Sequence, residues 1–268
     1  MTETAVLLPV YYRDTPEHLF LAIDSIHNQT YRDFDLIFCI DGELGNELAG
    51  IISSGEGQDR TLVISHKDNR GLAFTLNQAI EYVLQHSYRY IARMDSDDIM
   101  ERNRLEIQVD YLNTHPAVDA VGSGTLLIDT TGNILGQRQV RHVVRYSDLL
   151  WRSPLVHAAM VFRKEFFEEV GLYDDGLSRS QDYDLWFRAL QKKKIIHNIQ
   201  APLYSMRVSG DLIRRRKEEQ SINIRIKKKY YRGVRLWLSI LPNLMIYLLP
   251  AGIISYILRN SRSTNKSF

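Results

Sequence analysis

Three carboxylates fall within four residues at Asp95-Ser96-Asp97-Asp98, directly behind the apolar run Tyr90-Ile91-Ala92. Carboxylates this close repel one another unless a cation sits among them. At the carboxyl end of a buried strand, a hard divalent metal carrying a phosphate ligand meets that need. Aspartate is uncommon inside strands, so its arrival marks where a strand ends and a site can begin. Asp41-Gly42 closes another apolar run in the same way. No Cys/His cluster with zinc spacing is present, so oxygen ligands and Mg²⁺ or Mn²⁺ are the expected pairing.

The elements that must position these acids can be read from periodicity. Ala5–Pro9, Asp35–Asp41, Thr61–Ser65 and Tyr90–Met94 predict four short buried strands. Glu17–Asn28 predicts a helix with Leu19, Ala22, Ile23 and Ile26 on one face. Leu72–His86 predicts another, with Leu76, Ala79, Ile80, Val83 and Leu84 inward. Strand and helix alternating through short connections imply right-handed crossovers and a parallel sheet. Ligands then bind outside the carboxyl ends of the strands, where Pro9, Asp41 and Asp95 all fall. Further on, the pattern predicts helices over Glu101–Thr114, Lys164–Val170 and Asp182–Gln191. It predicts strands over Val118–Ile128, His157–Phe162 and Ile195–Ile199.

The 268 residues suffice for one generous core plus an appendage, and 44% apolar with 25% charged content is ordinary for a globular chain. The net charge of +2 conceals an asymmetry: residues 214–235 hold ten Lys/Arg against two Glu, and residues 236–268 add three cations and no acid. The first 213 residues are therefore acidic, and an anionic surface is the expected partner of the tail alone. Leu236–Leu258 has no formal charge, but Pro242 and Pro250 interrupt it and Arg235 and Arg259 flank it. That pattern predicts a broken, interfacial helical segment rather than a simple span. The same uncharged segment argues against nucleic acid as the partner of the basic run. Cys39 is the sole cysteine and sits in Leu36-Ile37-Phe38-Cys39-Ile40, which predicts a buried, inert thiol. No secretory signal precedes the first strand, so the body is expected in the cytosol.

Taken together, these residues resemble glycosyltransferase family 2, the inverting enzymes with a GT-A fold. The resemblance runs from about residue 5 to 207. Pro9-Val10-Tyr11 is similar to the family's opening strand, whose end lines the nucleotide base. Ser25-Ile26 with Gln29-Thr30 resembles its first-helix pattern, Asp41-Gly42 its uracil-facing turn, and Asn69-Arg70-Gly71 its Asn-x-Gly element near the base. Asp95-Ser96-Asp97 resembles the Asp-x-Asp motif, whose first acid approaches the ribose and whose second binds the metal. Asp182-Tyr183-Asp184-Leu185-Trp186 resembles the late motif whose leading Asp is the general base, with Gln181 where Glu is usual. The Glu43-Leu44 that follows Asp41-Gly42, and Arg207 to Asp211 with Arg214, Arg215 and Arg216, resemble a subset that builds exopolysaccharide and O-antigen repeat units.

The resemblance implies an α/β, Rossmann-like GT-A domain over residues 1–207, with a mostly parallel central sheet flanked by helices. A basic and apolar extension, residues 208–268, would associate with membrane. It implies metal-dependent, inverting transfer from a nucleotide-sugar, expected to be UDP-linked, to a lipid-linked oligosaccharide in surface polysaccharide synthesis. That work belongs at the cytoplasmic face of the cell membrane. Donor contacts fall on Pro9, Val10, Tyr11, Asp41, Asn69, Gly71, Asp95, Ser96, Asp97 and one of Arg214 or Arg215, with the metal on Asp97 and the base on Asp182. His157, Gln181 and Trp186 lie on the acceptor side, although His157 also suits a satisfied core histidine and Trp186 simple packing. Asp98 either joins the site or caps the next helix. Self-association through the apolar tail is left open. Two other functions compete: a silent nucleotide-sugar-binding protein, and an Asp95-based phosphohydrolase. The latter normally carries its motif on the first strand rather than the fourth.

Overall fold

A computed structural model describes residues 2–55, 60–151, 153–208 and 212–248. Strands β1 (Thr4–Tyr11), β2 (Phe34–Asp41), β3 (Thr61–His66) and β4 (Tyr90–Arg93) pair in parallel in the order β3-β2-β1-β4. Helices α1 (Pro16–His27), α2 (Asn46–Gly55) and α3 (Leu72–Leu84) connect them. Successive strand residues feed opposite faces, as a period of two demands. Leu7, Ile37 and Ile91 pack with α3, while Val6, Leu8, Phe38 and Ala92 pack with α1. Each of these Val, Leu, Ile and Phe side chains contributes about 1.5–3 kcal/mol on full burial. Cys39 belongs to this core, and burial pushes its thiol up to about 12, so it is inert as expected.

The second half of the sheet is mixed. Strand β5 (Ile99–Met100) and helix α4 (Arg104–Thr114) lead to β6 (Ala120–Ile128), which forms a hairpin with β7 (Ile134–Arg138). Strand β8 (Val161–Arg163) runs antiparallel to both β4 and β6. After α5 (Lys164–Val170) and α6 (Gln181–Gln191), β9 (Ile196–Arg207) lies parallel to β6 and antiparallel to β5. The strand expected over His157–Phe162 is a correction: His157–Ala159 forms a 3₁₀ turn, and β8 starts only at Val161. The small residues Ala158 and Ala159 permit the tight turn, and the Ala159 carbonyl accepts from the buried Gln108 amide rather than from a strand.

The described part of the extension comprises α7 (Leu212–Tyr230) and α8 (Gly233–Leu248), packed as a hairpin. The break expected at Pro242 is absent: α8 runs through it. Pro250 and residues 249–268 lie outside the described residues. Not all of the basic run faces outward. Lys227 is 1% exposed, and its Nζ donates to the Leu150 carbonyl, the Ser239 carbonyl and Asn243 Oδ1 at 3.0, 2.7 and 2.6 Å. Burial pulls its pKa down to about 8. Lys229 Nζ and the Tyr230 hydroxyl both donate to Asp184 on α6, and the Tyr230 ring stacks on Phe187. Lys227→Ala removes three hydrogen bonds and opens a void, and should lower stability by about 2–4 kcal/mol. Loss of hydrogen-exchange protection in α7 and α8 ahead of the sheet is the accompanying result. Among the described residues no helix is long and apolar enough to cross a membrane.

Candidate functional site

Register alone brings the rim together. Tyr11 pairs with Asp41 across β1 and β2, Asp41 with His66 across β2 and β3, and Leu7 with Arg93 across β1 and β4. The carboxyl ends of all four parallel strands therefore open on one edge. Pro9 is half-buried there, Tyr11 is exposed, and Val10 packs its side chain into the core.

On the β2 side, Asp41 is buried and its carboxylate accepts from the backbone N–H of Arg70 at 2.7 Å and of Gly71 at 3.0 Å. His66 Nε2 lies 3.0 Å from the same carboxylate. The Asn69 amide donates to the Asp41 carbonyl. Asp41, Asn69 and Gly71 are thus one unit: the acid orders the turn. Gly42 requires φ +87°, and a Cβ there would stand 3.0 Å from the Asn69 nitrogen, so only glycine lets the two loops close. The Arg70 guanidinium lies over the Phe74 ring at 3.5 Å, at the edge of this turn.

The β4 side holds the acidic turn. Arg93 is buried, and its Nη2 reaches Asp95 at 2.5 Å. A second buried arginine, Arg104, donates to the carbonyls of Arg93 and Met160 and stands over Tyr204, its pKa lowered to about 10 by burial. Asp98 is 2% exposed and accepts from the Arg207 backbone N–H at 2.7 Å and from Tyr204. Burial, then repulsion from Asp97 and Asp95, raises its pKa well above the carboxylate range. Asp98 is therefore an anchor for the end of β9 rather than a helix cap. Arg207 donates to the carbonyls of Asp97, Asp129 and Thr130, and its buried Nη2 has no hydrogen-bond partner among the described residues. Residues 209–211 and the side chain of Arg214 lie outside the described residues.

Asp97 is solvent-exposed on this turn, yet desolvation in the concave rim and the neighbouring Asp95 charge raise its pKa. A fourth acid, Asp14, comes from the β1–α1 turn. Its carboxylate accepts from the Tyr11 N–H at 3.0 Å and the Ser96 hydroxyl at 2.7 Å. Burial, with Asp97 and Asp95 nearby, lifts it to about 6. Mutual destabilisation of this kind is what a cation relieves. Among the described residues no three His, Cys, Asp or Glu groups converge closely enough to enclose an ion. With Asp95 held by Arg93, an ion at Asp97 would take its other ligands from phosphate and water. That open oxygen set fits Mg²⁺ or Mn²⁺.

The third component sits on α6. Ser180 adopts φ 58° ahead of the helix, and Asp182 follows in its first turn. The carboxylate receives backbone N–H groups at this positive helix end, and Arg138 adds favourable charge, yet burial dominates and raises its pKa. The Trp186 indole faces it, its Nε1–H closing no hydrogen bond of normal geometry. Trp186 is fully buried and stacked parallel to Phe162, so it takes the packing role. Gln181 is buried too. His157 Nε2 lies 2.6 Å from the Tyr173 hydroxyl and edge-on to Trp186. Burial, with Arg93 nearby, holds His157 well below its ordinary pKa and therefore neutral. Tyr173 feels the charges of Arg93, Asp182 and Asp95 together, which ties the base candidate and the acidic turn to one electrostatic neighbourhood.

If Asp182 must be ionised to act, activity falls tenfold per unit on the acid side of its raised pKa. The acid limb of kcat should therefore lie above the ordinary aspartate value of 3.8. Neutral His157 adds no second limb near pH 6.5. Sequence reasoning did not find Asp14, His66, Arg93 or Tyr173. An arginine inside a four-residue buried strand was the one available signal.

The described residues thus form a parallel half-sheet whose carboxyl rim carries an acidic turn, with the carboxylates of Asp182 and Asp184 on a later helix. A family model described as Glycosyl transferase family 2 matches residues 5–171, and the chain belongs to that family: it is a glycosyltransferase. It is 25% identical over 269 residues to the amylovoran biosynthesis glycosyltransferase AmsE of Erwinia amylovora, covering 96% of this chain and 98% of the relative. It is 28% identical over 264 residues to an Escherichia coli UDP-Gal:alpha-D-GlcNAc-diphosphoundecaprenol beta-1,3-galactosyltransferase, covering 94% of each. Among solved structures, S. aureus TarS 1–349 in complex with UDP-GlcNAc superposes with a TM-score of 0.67 at 13% identity, over 92% of this chain and 72% of that one. The mannosyltransferase PcManGT of Pyrobaculum calidifontis, in complex with GDP-Man and Mn²⁺, gives 0.63 at 15% identity, over 99% and 76%. The fold is GT-A.

Proposed function

We propose that this glycosyltransferase moves a sugar from a UDP-sugar to a lipid-linked saccharide, with inversion, during surface polysaccharide synthesis at the cytoplasmic face of the membrane. The observation that supports the proposal is that Asp182, Asp95 and Arg93 all act on the buried Tyr173, while Asp97 follows Asp95 on the same acidic turn. The UDP and lipid-diphosphate assignments are supported by the donor and acceptor in the name of the E. coli relative. The exopolysaccharide relative supports the pathway class.

The chain's own residues divide the work. The 69–71 turn, ordered by Asp41, and the Tyr11 strand end receive the base. Asp95, fixed by Arg93, and Ser96, fixed by Asp14, shape the ribose side. Asp97 would hold Mn²⁺ or Mg²⁺, which when bound supplies Lewis-acid stabilisation of the departing diphosphate. Asp182 takes the proton from the acceptor hydroxyl as that oxygen attacks the anomeric carbon. One carboxylate suffices, because a single displacement inverts and needs no enzyme nucleophile. His157 and Gln181 border the acceptor side.

A thermal-shift panel of UDP-, GDP- and TDP-sugars with and without Mn²⁺ tests the donor and the metal together. UDP conjugates should raise the melting temperature only with the ion present. A rise confined to GDP conjugates would overturn the UDP assignment, and a rise independent of metal would overturn the role of Asp97.

A further inference from the structure

Helix α8 has one face covered by α7 and, among the described residues, an exposed apolar stripe on another. Ser239, Ile240 and Asn243 face α7 and are buried, with Asn243 bonded to Gln220 and Lys227. Val234, Trp237, Leu238 and Leu241 repeat at the i, i+3, i+4, i+7 spacing of a single stripe and are 74%, 69%, 48% and 56% exposed. Single exposed apolar residues need no explanation, but a four-residue stripe headed by tryptophan does.

The charge around the stripe identifies what it meets. Arg225, Lys228, Arg232 and Arg235 are exposed on α7, the α7–α8 turn and the first turn of α8. No acidic residue follows Glu219 in the chain. A second copy of this hairpin would bring its exposed cations against one another, which disfavours an isologous contact. Exposed apolar side chains with tryptophan, on a hairpin that also exposes these four cations, match the headgroup boundary of an anionic bilayer. The described part of α8, 16 residues or about 24 Å, is short of the roughly 30 Å hydrocarbon core, and its exposed stripe with flanking cations fits a helix lying along the surface.

We propose that the Val234–Trp237–Leu238–Leu241 stripe, with Arg225, Lys228, Arg232 and Arg235, is a docking face for anionic lipid. It deepens the reading that the acceptor is lipid-linked and rests on it for its purpose, though not for its evidence. The same hairpin anchors the catalytic helix: Lys229 and Tyr230 of α7 bond Asp184, two residues from Asp182. The bilayer-facing stripe and the base candidate thus belong to one connected unit.

Sedimentation of the full chain with phosphatidylcholine vesicles, with and without 30% phosphatidylglycerol, tests the face. The wild-type chain should bind the anionic vesicles and be displaced by salt. Arg232→Gln with Arg235→Gln should weaken partitioning about fivefold for each charge removed. Trp237→Ser with Leu241→Ser should weaken it at least tenfold, while the melting temperature shift given by UDP-sugar and Mn²⁺ stays unchanged. Trp237 emission, isolated by difference from Trp237→Phe, should move to shorter wavelength only when anionic vesicles are added. Binding by the serine variant equal to wild type overturns the proposal. So does Trp237 emission already blue-shifted in buffer, or a stripe variant that alters only self-association. Should the face bind vesicles while transfer proceeds solely to a soluble acceptor, the acceptor reading fails and the docking face stands.

Discussion

Asp182→Asn lowers kcat by about 10²–10⁴-fold while the dissociation constants for UDP-sugar and metal stay within a factor of two or so of wild type. Asparagine matches the carboxylate in shape and can still accept the N–H groups at the start of α6, so the helix end survives. What it cannot do is take a proton. The substitution also removes a buried charge whose pKa is already raised by desolvation, so stability should hold or rise slightly. The acidic turn is untouched because Asp182 meets it only through the shared field at Tyr173. Isothermal titration with donor and Mn²⁺, alongside steady-state transfer, separates the two quantities. Equal losses in binding and rate would mean that Asp182 holds the donor instead of activating the acceptor.

The parts of this site that were legible in the sequence are those encoded by local pattern. Four apolar runs, three of them ending in Pro-Val-Tyr, Asp-Gly or Asp-x-Asp, predicted the parallel half-sheet and its rim, since a strand's end is marked by the residue types it will not hold. The α3 stripe was equally plain from its spacing. The mixed half was harder. Strand β7 is largely exposed along Ile134–Arg138 and shows no alternation, and β5 has only two residues. Helix α2 has its apolar residues diluted by Gly and Ser, which carried a loop-like composition. The supporting shell was invisible for a different reason. Arg207 reaches Asp97 and Asp98 across more than a hundred residues, and Asp14 reaches Ser96 across 82. Such partners are set by how the sheet folds back, and no window of sequence contains both. The same holds for the basic run, whose Lys227 and Lys229 read as surface charge yet are tied to Asn243 and Asp184.

Asp97→Ala should remove metal-dependent transfer, costing about 10³-fold in kcat/KM, equivalent to roughly 4 kcal/mol of transition-state stabilisation. The melting-temperature rise given by UDP-sugar with Mn²⁺ should vanish with it. Its neighbour provides the control. Asp97 is exposed and repelled by Asp95, whereas Asp98 is buried and fixes the Arg207 backbone and Tyr204. Removing the first therefore relieves repulsion, and the ligand-free protein should melt no lower than wild type. Removing the second in Asp98→Ala leaves the Arg207 N–H without an acceptor and should lower stability by about 1–3 kcal/mol. The two adjacent acids thus respond in opposite ways: one loses the ligand effect and keeps the fold, the other weakens the fold itself. A drop in ligand-free stability for Asp97→Ala matching that of Asp98→Ala would show that both are structural, and the metal would then have to be held elsewhere on the rim.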